Sequence, residues 1–122
     1  MARILIAEDE ESVRTLLVRA FTQDGHEVES ARDGAAALDC LAKAKPFNLL
    51  LTDIQMPAMD GIALALAAKR DHPNLTIMLM TGYTDQRERA QALKPLIHDI
   101  VQKPFTIAEI RSALNAELAV RV

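Results

Sequence analysis

Four short polar motifs, each placed directly after an apolar run, carry the residue types of a phosphoryl-transfer site. The carboxylates are Glu8, Asp9 and Asp53, while Thr81 and Lys103 add a hydroxyl and an ammonium group. Because the carboxyl ends of parallel strands meet at one edge of a sheet, residues far apart in sequence can converge there. We therefore predict one pocket that holds a divalent cation together with a phosphoryl group.

Asp53 is the residue that favours a metal site over separate helix caps. Acidic residues at a strand end often cap the next helix, and that alternative suits Glu8 and Asp9 taken alone. Asp53 follows so apolar a run that it should end a central strand, where a third negative charge is unfavourable without a cation. Oxygen ligands of this kind suit Mg²⁺, and a backbone carbonyl of the loop shaped by Pro57 can add another.

The same residues could carry out phosphoryl chemistry. The Asp53 carboxylate is a competent nucleophile toward a phosphoryl group when a metal manages its charge. Thr81 and Lys103 would contact the phosphoryl oxygens, although the first could simply cap a helix and the second could extend from a strand end into solvent. Each signal is weak alone, and the joint pattern makes Asp53, Thr81 and Lys103 the predicted catalytic set.

Five apolar runs alternate with segments of helical period, which predicts a parallel sheet with helices on both faces. The predicted strands cover residues 3–7, 27–31, 48–52, 76–81 and 97–102. An apolar stripe that includes Leu16 predicts one buried face on the first helix, which ends at Gly25. The later helices begin after Asp33, at Gly61, at residue 84 and with a capping box at residues 106–109. The fourth, 84–93, is the least hydrophobic helix, and its anchors are Ala90, Ala92 and Leu93.

Length and composition narrow the function classes. The 122 residues, 50% of them hydrophobic, fit one domain, which we expect to cover residues 1–119 before a frayed tail at 120–122. A net charge of -3 without a basic block disfavours nucleic-acid binding, and the length leaves no room for a DNA-binding effector. Cys40 alone excludes an internal disulfide, and the start suits neither an export signal nor a membrane span. These features predict a cytoplasmic protein.

The predicted site resembles the invariant residue set of the CheY-like receiver domains of two-component response regulators. The residues that carry this resemblance are Glu8, Asp9, Asp53, Thr81 and Lys103. The separation of Asp9 and Asp53, 44 positions, matches that family's usual spacing, and the resemblance covers essentially the whole chain. It implies a flavodoxin-like, doubly wound α/β fold, with a five-stranded parallel sheet of order 2-1-3-4-5 and five helices in a single domain.

The resemblance also implies a role for each residue. Asp53 would accept a phosphoryl group from a phosphohistidine on a histidine kinase or a histidine phosphotransfer protein. The Mg²⁺ ligands would be Glu8, Asp9, Asp53 and the backbone carbonyl of Gln55. The phosphoryl group would be contacted by Thr81 and Lys103. Self-catalysed phosphate acceptance and slow loss would be the only reactions, so the chain would not be an enzyme.

Some positions depart from the common family pattern or lie where a switch would act. Glu8 stands where many receivers have Asp, and its longer side chain would reach the metal directly or through water. Ile100 stands where many carry Tyr or Phe, so an aromatic relay cannot operate. The predicted switch and output residues are Gly82, Tyr83, Arg87, His98 and Ile100. Tyr83 is either a partial lid over the pocket or an ordinary exposed aromatic residue, and His98 either lines the output face or is a strand-end histidine.

Within the family, the chain resembles most the single-domain CpdR type, through residues 60–68, 80–83, 85–90 and 97–99. That type implies a cell-cycle regulator that helps to recruit substrates to the ClpXP protease, is active unphosphorylated and is switched off by phosphorylation. We expect the chain to be a monomer or a weak dimer.

Two other classes remain open. A haloacid-dehalogenase-like phosphatase also uses Asp, Mg²⁺, Thr and Lys, but it needs an acid two positions after its nucleophile, where this chain has Gln55. An adaptor that no longer responds to phosphate is disfavoured by the intact site residues.

Overall fold

The computed structural model describes residues 2–43, 45–82 and 84–120, with the side chains of all of these except 84–87 and 120. Five strands are present in this part of the chain: β1 (Arg3–Ala7), β2 (Glu27–Ala31), β3 (Leu49–Asp53), β4 (Thr76–Thr81) and β5 (Asp99–Gln102). They form one parallel sheet of order β2-β1-β3-β4-β5, with β3 in the centre. The predicted sheet and strand order are confirmed.

Five helices cover the two faces of this sheet: α1 (Glu11–Gln23), α2 (Gly34–Leu41), α3 (Gly61–Asp71), α4 (Thr84–Gln91) and α5 (Ile107–Val120). Successive strand residues point to opposite faces, so each face has its own apolar cluster. One cluster packs beneath α1 and α5 and includes Phe21 and Ile110, and the other packs beneath α2, α3 and α4 and includes Leu64 and Ala90. Because β3 and β4 are buried along their whole length, both strands read as continuous apolar runs.

Side-chain caps fix where several helices begin. The Asp33 carboxylate accepts the amide of Ala36 at 2.8 Å, as the sequence predicts. The Thr106 hydroxyl accepts the amide of Glu109 at 3.0 Å, and the Glu109 carboxylate accepts the amide of Thr106 at 2.9 Å, which confirms the capping box. Helix α1 ends before Gly25, whose φ of 91° is the left-handed conformation that glycine adopts readily.

Four sequence predictions of local structure are wrong. β3 begins and ends one residue later than predicted, and β5 begins at Asp99 rather than 97. α4 ends at Gln91 because residues 92–96 form turns, with the amide of Leu96 bound to the carbonyl of Leu93 at 2.7 Å, and Ala92 is therefore exposed. Leu16 is 49% exposed, since α1 packs on the sheet through the neighbouring positions of its stripe.

Candidate functional site

The carboxyl edge of the sheet brings the predicted site residues together. Glu8 directly follows β1, Asp53 ends β3, Thr81 ends β4 and Lys103 directly follows β5. A surface cavity of about 790 Å³ opens there. It is lined by Glu8, Asp9, Glu10, Val13, Leu16, Asp53, Gln55, Gly82, Lys103, Pro104 and Phe105.

Three carboxylates form the acidic part of this cavity. Glu8, Asp9 and Asp53 each place a carboxylate oxygen within 4.8 Å of the other two. Glu8 is fully buried and Asp53 is 7% exposed, whereas Asp9 faces solvent. One oxygen of Asp53, Oδ1, accepts the backbone amide of Ile54 at 2.9 Å, which fixes the orientation of the carboxylate. Such a cluster of hard oxygen donors suits a divalent cation such as Mg²⁺.

Lys103 joins two of these carboxylates. Its Nζ lies 2.6 Å from Glu8 Oε1 and 3.1 Å from Asp53 Oδ2. Burial alone would lower the pKa of Lys103, but the hydrogen bond and charge of Glu8 and the charge of Asp53 outweigh it, and the pKa is raised. Burial raises the pKa of Glu8, because the hydrogen bonds from Lys103 and from the Glu10 amide offset it only in part. One ammonium group thus pairs with two carboxylates of a cluster that holds three.

Backbone contacts hold the surrounding loops in place. The second oxygen of Glu8, Oε2, accepts the amide of Glu10 at 3.1 Å. The Glu8 carbonyl accepts Nη1 of Arg14 from the first turn of α1 at 2.9 Å. On the other side of the cavity, the amide of Lys103 donates to the carbonyl of Thr81 at 2.7 Å, and the Lys103-Pro104 peptide bond is cis.

The loop after Asp53 has a defined shape. Ala58 has a φ of 68°, and the amide of Met59 donates to the carbonyl of Pro57 at 2.8 Å, so a tight γ-turn stands at this point. Gly61 closes the loop, because its amide donates to the carbonyl of Ile54 at 2.7 Å. A Cβ atom at Gly61 would overlap the carbonyl oxygen of Asp53, so glycine permits this close approach.

Thr81 is the unusual polar residue of the site. Its Oγ1 is buried and finds no hydrogen-bond partner in the part of the chain that the structure describes. A buried hydroxyl without a partner carries a desolvation cost, which a ligand oxygen placed nearby would remove. The position of Thr81 at the end of β4 puts this hydroxyl at the same edge of the sheet as Asp53.

The predicted switch residues have different surroundings. Gly82 is half-buried and lines the site cavity. His98 lies at the opposite end of the sheet, where its Nδ1 accepts the amide of Ile77 at 3.0 Å, so its ring supports the beginning of β4. Ile100 is partly buried and packs against the cluster beneath α4. Tyr83 and the side chain of Arg87 lie outside the described residues.

Three features of the site were missed in the sequence. The Glu8 to Lys103 ion pair joins residues 95 positions apart, so no local pattern reveals it. Arg14 could have been found from its place one turn inside α1, within reach of the acidic loop. Leu16 was assigned to the core because its helical period is that of a buried stripe.

A second cavity shows that volume does not identify the site. It measures about 930 Å³ and lies at the amino-terminal end of the strands, among His26, Asn48 and His72. No group of three metal-ligating side chains converges there within the described ranges. The carboxylates and the ammonium group instead converge at the carboxyl edge, where β4 also ends with Thr81.

Comparisons with known proteins agree with this geometry. Residues 4–115 match the family described as "Response regulator receiver domain". The response regulator receiver protein CpdR of Brucella abortus (strain 2308) is 40% identical over 118 residues, which span 97% of this chain and 98% of the relative. Sporulation initiation phosphotransferase F of Bacillus subtilis (strain 168) is 35% identical over 121 residues, covering 98% of this chain and 95% of the relative.

A solved structure gives the same result for the fold. The response regulator protein TrrA from Thermotoga maritima, crystallised with Mg²⁺ and BeF, superposes with a TM-score of 0.81 at 27% identity. The superposition covers 95% of this chain and 98% of that protein.

The chain belongs to the response regulator receiver domain family of two-component signalling. The expected resemblance to CpdR-type regulators is confirmed. Members of this family are in general non-enzymatic regulators of phosphorelays, which receive signals from histidine kinases or phosphotransfer proteins and act on an output partner. A membrane-crossing helix of sufficient length and apolarity does not occur among the residues described.

Proposed function

We propose that the chain is a stand-alone response regulator of the cytoplasm, formed by one receiver domain over residues 1–119, that accepts a phosphoryl group on Asp53. The observation that carries this proposal is the ion pair between Asp53 Oδ2 and Lys103 Nζ, 3.1 Å apart, at the sheet edge where β4 ends with Thr81, whose buried hydroxyl finds no partner among the described residues. A nucleophile, a cationic contact and a free hydroxyl are the groups that phosphoryl acceptance needs.

In this reaction an oxygen of Asp53 attacks the phosphorus of a phosphohistidine. A P–O bond forms while the P–N bond breaks, and the imidazole of the donor leaves. Lys103 Nζ and Thr81 Oγ1 donate to the phosphoryl oxygens, which gives the hydroxyl a partner. A divalent cation held by Glu8, Asp9, Asp53 and the Gln55 carbonyl would supply charge neutralisation on those oxygens.

A small phosphodonor tests the proposed acceptor directly. Incubation with acetyl phosphate and Mg²⁺ should add one acid-stable, hydroxylamine-labile phosphoryl group, detected as intact mass. Asp53→Asn should abolish the adduct, and Asp39→Asn, which replaces an aspartate of α2 outside the site, should retain it. Labelling that survives Asp53→Asn would show that another residue is the nucleophile.

The rim of the cavity indicates where a protein phosphodonor docks. Leu16 exposes 49% of its surface beside the acidic cluster, and Val13, Pro104 and Phe105 line the same cavity. An exposed apolar group at the mouth of a charged pocket is typical of a protein-binding surface. We assign this rim to a helical histidine donor, whose phosphohistidine enters the cavity while its apolar neighbours cover Leu16.

Two donors of different size separate docking from chemistry. Leu16→Ser should slow phosphorylation by a histidine phosphotransfer protein about tenfold, because an apolar contact is lost, and leave labelling by acetyl phosphate unchanged. The matched control is Leu66→Ser, since Leu66 is 44% exposed on α3 at the other face of the sheet. Equal slowing by both variants, or slowing with acetyl phosphate, would contradict the assignment.

For the output we propose a CpdR-like adaptor that binds the ClpXP proteolytic machinery while unphosphorylated. The 40% identity to CpdR over nearly the whole of both chains supports this assignment. Capture of ClpX by wild type and Asp53→Ala, but not by the beryllofluoride-loaded protein, is the expected result. Capture that increases on loading would reverse the proposed sign of the switch, and no capture in any state would remove ClpX as the partner.

A further inference from the structure

An ion pair links α4 to the loop that follows Asp53. Nη2 of Arg89 lies 3.1 Å from Oδ2 of Asp60. The other carboxylate oxygen, Oδ1, accepts the amide of Ala63 at 2.8 Å and caps α3. Asp60 therefore divides its two oxygens between the start of α3 and the side chain of α4.

Helix α4 lies on the other side of this ion pair, and Ala90 is the one apolar residue of its sequence. Ala90 is fully buried, whereas the neighbouring side chains of Glu88, Arg89 and Gln91 face solvent, and Ala92 beyond the helix is also exposed. A helix with little buried apolar surface can be displaced at low cost. A single side-chain contact can then contribute a large share of the free energy that keeps α4 in its position.

A short path connects Asp60 to the phosphoacceptor. Gly61, the next residue, donates its amide to the carbonyl of Ile54 at 2.7 Å and packs directly against the carbonyl of Asp53. The amide of Ile54 in turn holds Oδ1 of Asp53 at 2.9 Å. Because these backbones are in contact without intervening side chains, a shift of the Asp53 backbone must move Gly61 and its neighbour Asp60.

We propose that the Asp60 to Arg89 ion pair is a brake, which holds α4 in its unphosphorylated position and opens when the loop adjusts to a phosphoryl group on Asp53. This inference rests on the proposed function of Asp53 as phosphoacceptor. The ion pair acts on Arg89, near the end of α4, whereas Thr81 ends β4 shortly before α4 begins. Both partners are partly exposed, so the pair shifts the α4 equilibrium about 1.5- to 5-fold.

Hydrogen exchange of the α4 amides tests the brake. In the unphosphorylated protein, Arg89→Gln should accelerate exchange across residues 84–91 about 1.5- to 5-fold. Asp60→Asn should accelerate exchange to the same extent, because it removes the ion pair while its amide oxygen still caps α3. The double variant should show no further acceleration. The control is Arg111→Gln, which removes the ion pair of α5 with Asp24 (2.9 Å), the residue that follows α1 on the other face.

Loading with beryllofluoride then tests the release. The loaded wild type and the loaded Arg89→Gln variant should exchange alike across α4, because the ion pair is already open. An unchanged α4 in unloaded Arg89→Gln, the same acceleration in Arg111→Gln, or an undiminished difference after loading would each overturn the brake. Failure of the proposed function can be told apart from failure of the brake, because it would appear as no acetyl phosphate adduct on Asp53. The comparison of unloaded wild type with unloaded Arg89→Gln needs no phosphoryl group.

Discussion

Replacing Lys103 by Met should destabilise the metal-free protein strongly, because it leaves a buried carboxylate without its cation. Glu8 is completely buried, and Lys103 Nζ lies 2.6 Å from Glu8 Oε1. Removing one partner of a buried ion pair costs about 3–5 kcal/mol. The Lys103 side chain is 23% exposed, and water can partly replace it, so we take the lower end, about 3 kcal/mol.

Thermal unfolding in the presence of EDTA measures this cost. For a domain of this size, about 3 kcal/mol corresponds to a fall in Tm of roughly 10–15 °C. Glu8→Gln combined with Lys103→Met should recover part of the loss, since the fully buried charge of Glu8 is then removed while Asp53 keeps its charge. The control, Lys43→Met, breaks an exposed pair with Glu29 (3.5 Å) and should cost about 1 kcal/mol or less. A Tm for Lys103→Met within about 3 °C of wild type, or no recovery in the double variant, would refute the reasoning.

Three further predictions test other parts of the site. Mg²⁺ at ten times its dissociation constant should stabilise the fold by about 1.4 kcal/mol. Asp53→Asn should stabilise the metal-free protein and weaken the Mg²⁺ effect. Thermal melts without a response to either change would contradict the shared pocket. Thr81→Val should raise the stability of the unphosphorylated protein by about 1 kcal/mol in urea titrations and reduce beryllofluoride affinity, and a loss of stability would mean that the hydroxyl is already satisfied. Burial opposes ionisation of Asp60, but the amide of Ala63 and the charge of Arg89 outweigh it and lower its pKa. The difference in unfolding free energy between wild type and Asp60→Ala should therefore be constant above about pH 5 and shrink as the pH falls below about 4, through the lowered pKa of Asp60. A difference that grows on acidification would contradict this prediction.

The sequence predicts the sheet and the edge at which the site forms because both depend on local patterns. The buried strands β3 and β4 are continuous apolar runs, and polar residues follow each strand at its carboxyl end. The caps Asp33 and Thr106 are equally local, since each binds an amide three residues ahead. These features need no knowledge of the tertiary structure.

The contacts that the sequence does not reveal are those between distant elements. Whether Leu16 belongs to the core depends on how far α1 is rotated against the sheet, which the helical period leaves open. The sequence predicts that Lys103 contacts a phosphoryl group. Which carboxylates Lys103 bridges in the unphosphorylated protein depends on the geometry at the ends of β1, β3 and β5. The pairing of Arg89 with Asp60 depends in the same way on the distance between α4 and the start of α3.

The packing around Asp53 determines where a chemical change there can be expressed. Its strand lies between β1 and β4, both almost completely buried, and its carbonyl lies against Gly61 without space for a Cβ atom. A displacement toward either neighbouring strand would disturb close-packed core, whereas the described side chains of α4 offer one buried residue, Ala90, and an exposed ion pair. Repacking the buried strands β3 or β4 costs more free energy than displacing a helix with little buried apolar surface. We therefore expect phosphorylation to preserve the strand pairing of the sheet, to move the backbone only at its edge from Asp53 to Gly61, and to shift the population of α4; a partner that distinguishes the two states should contact that helix.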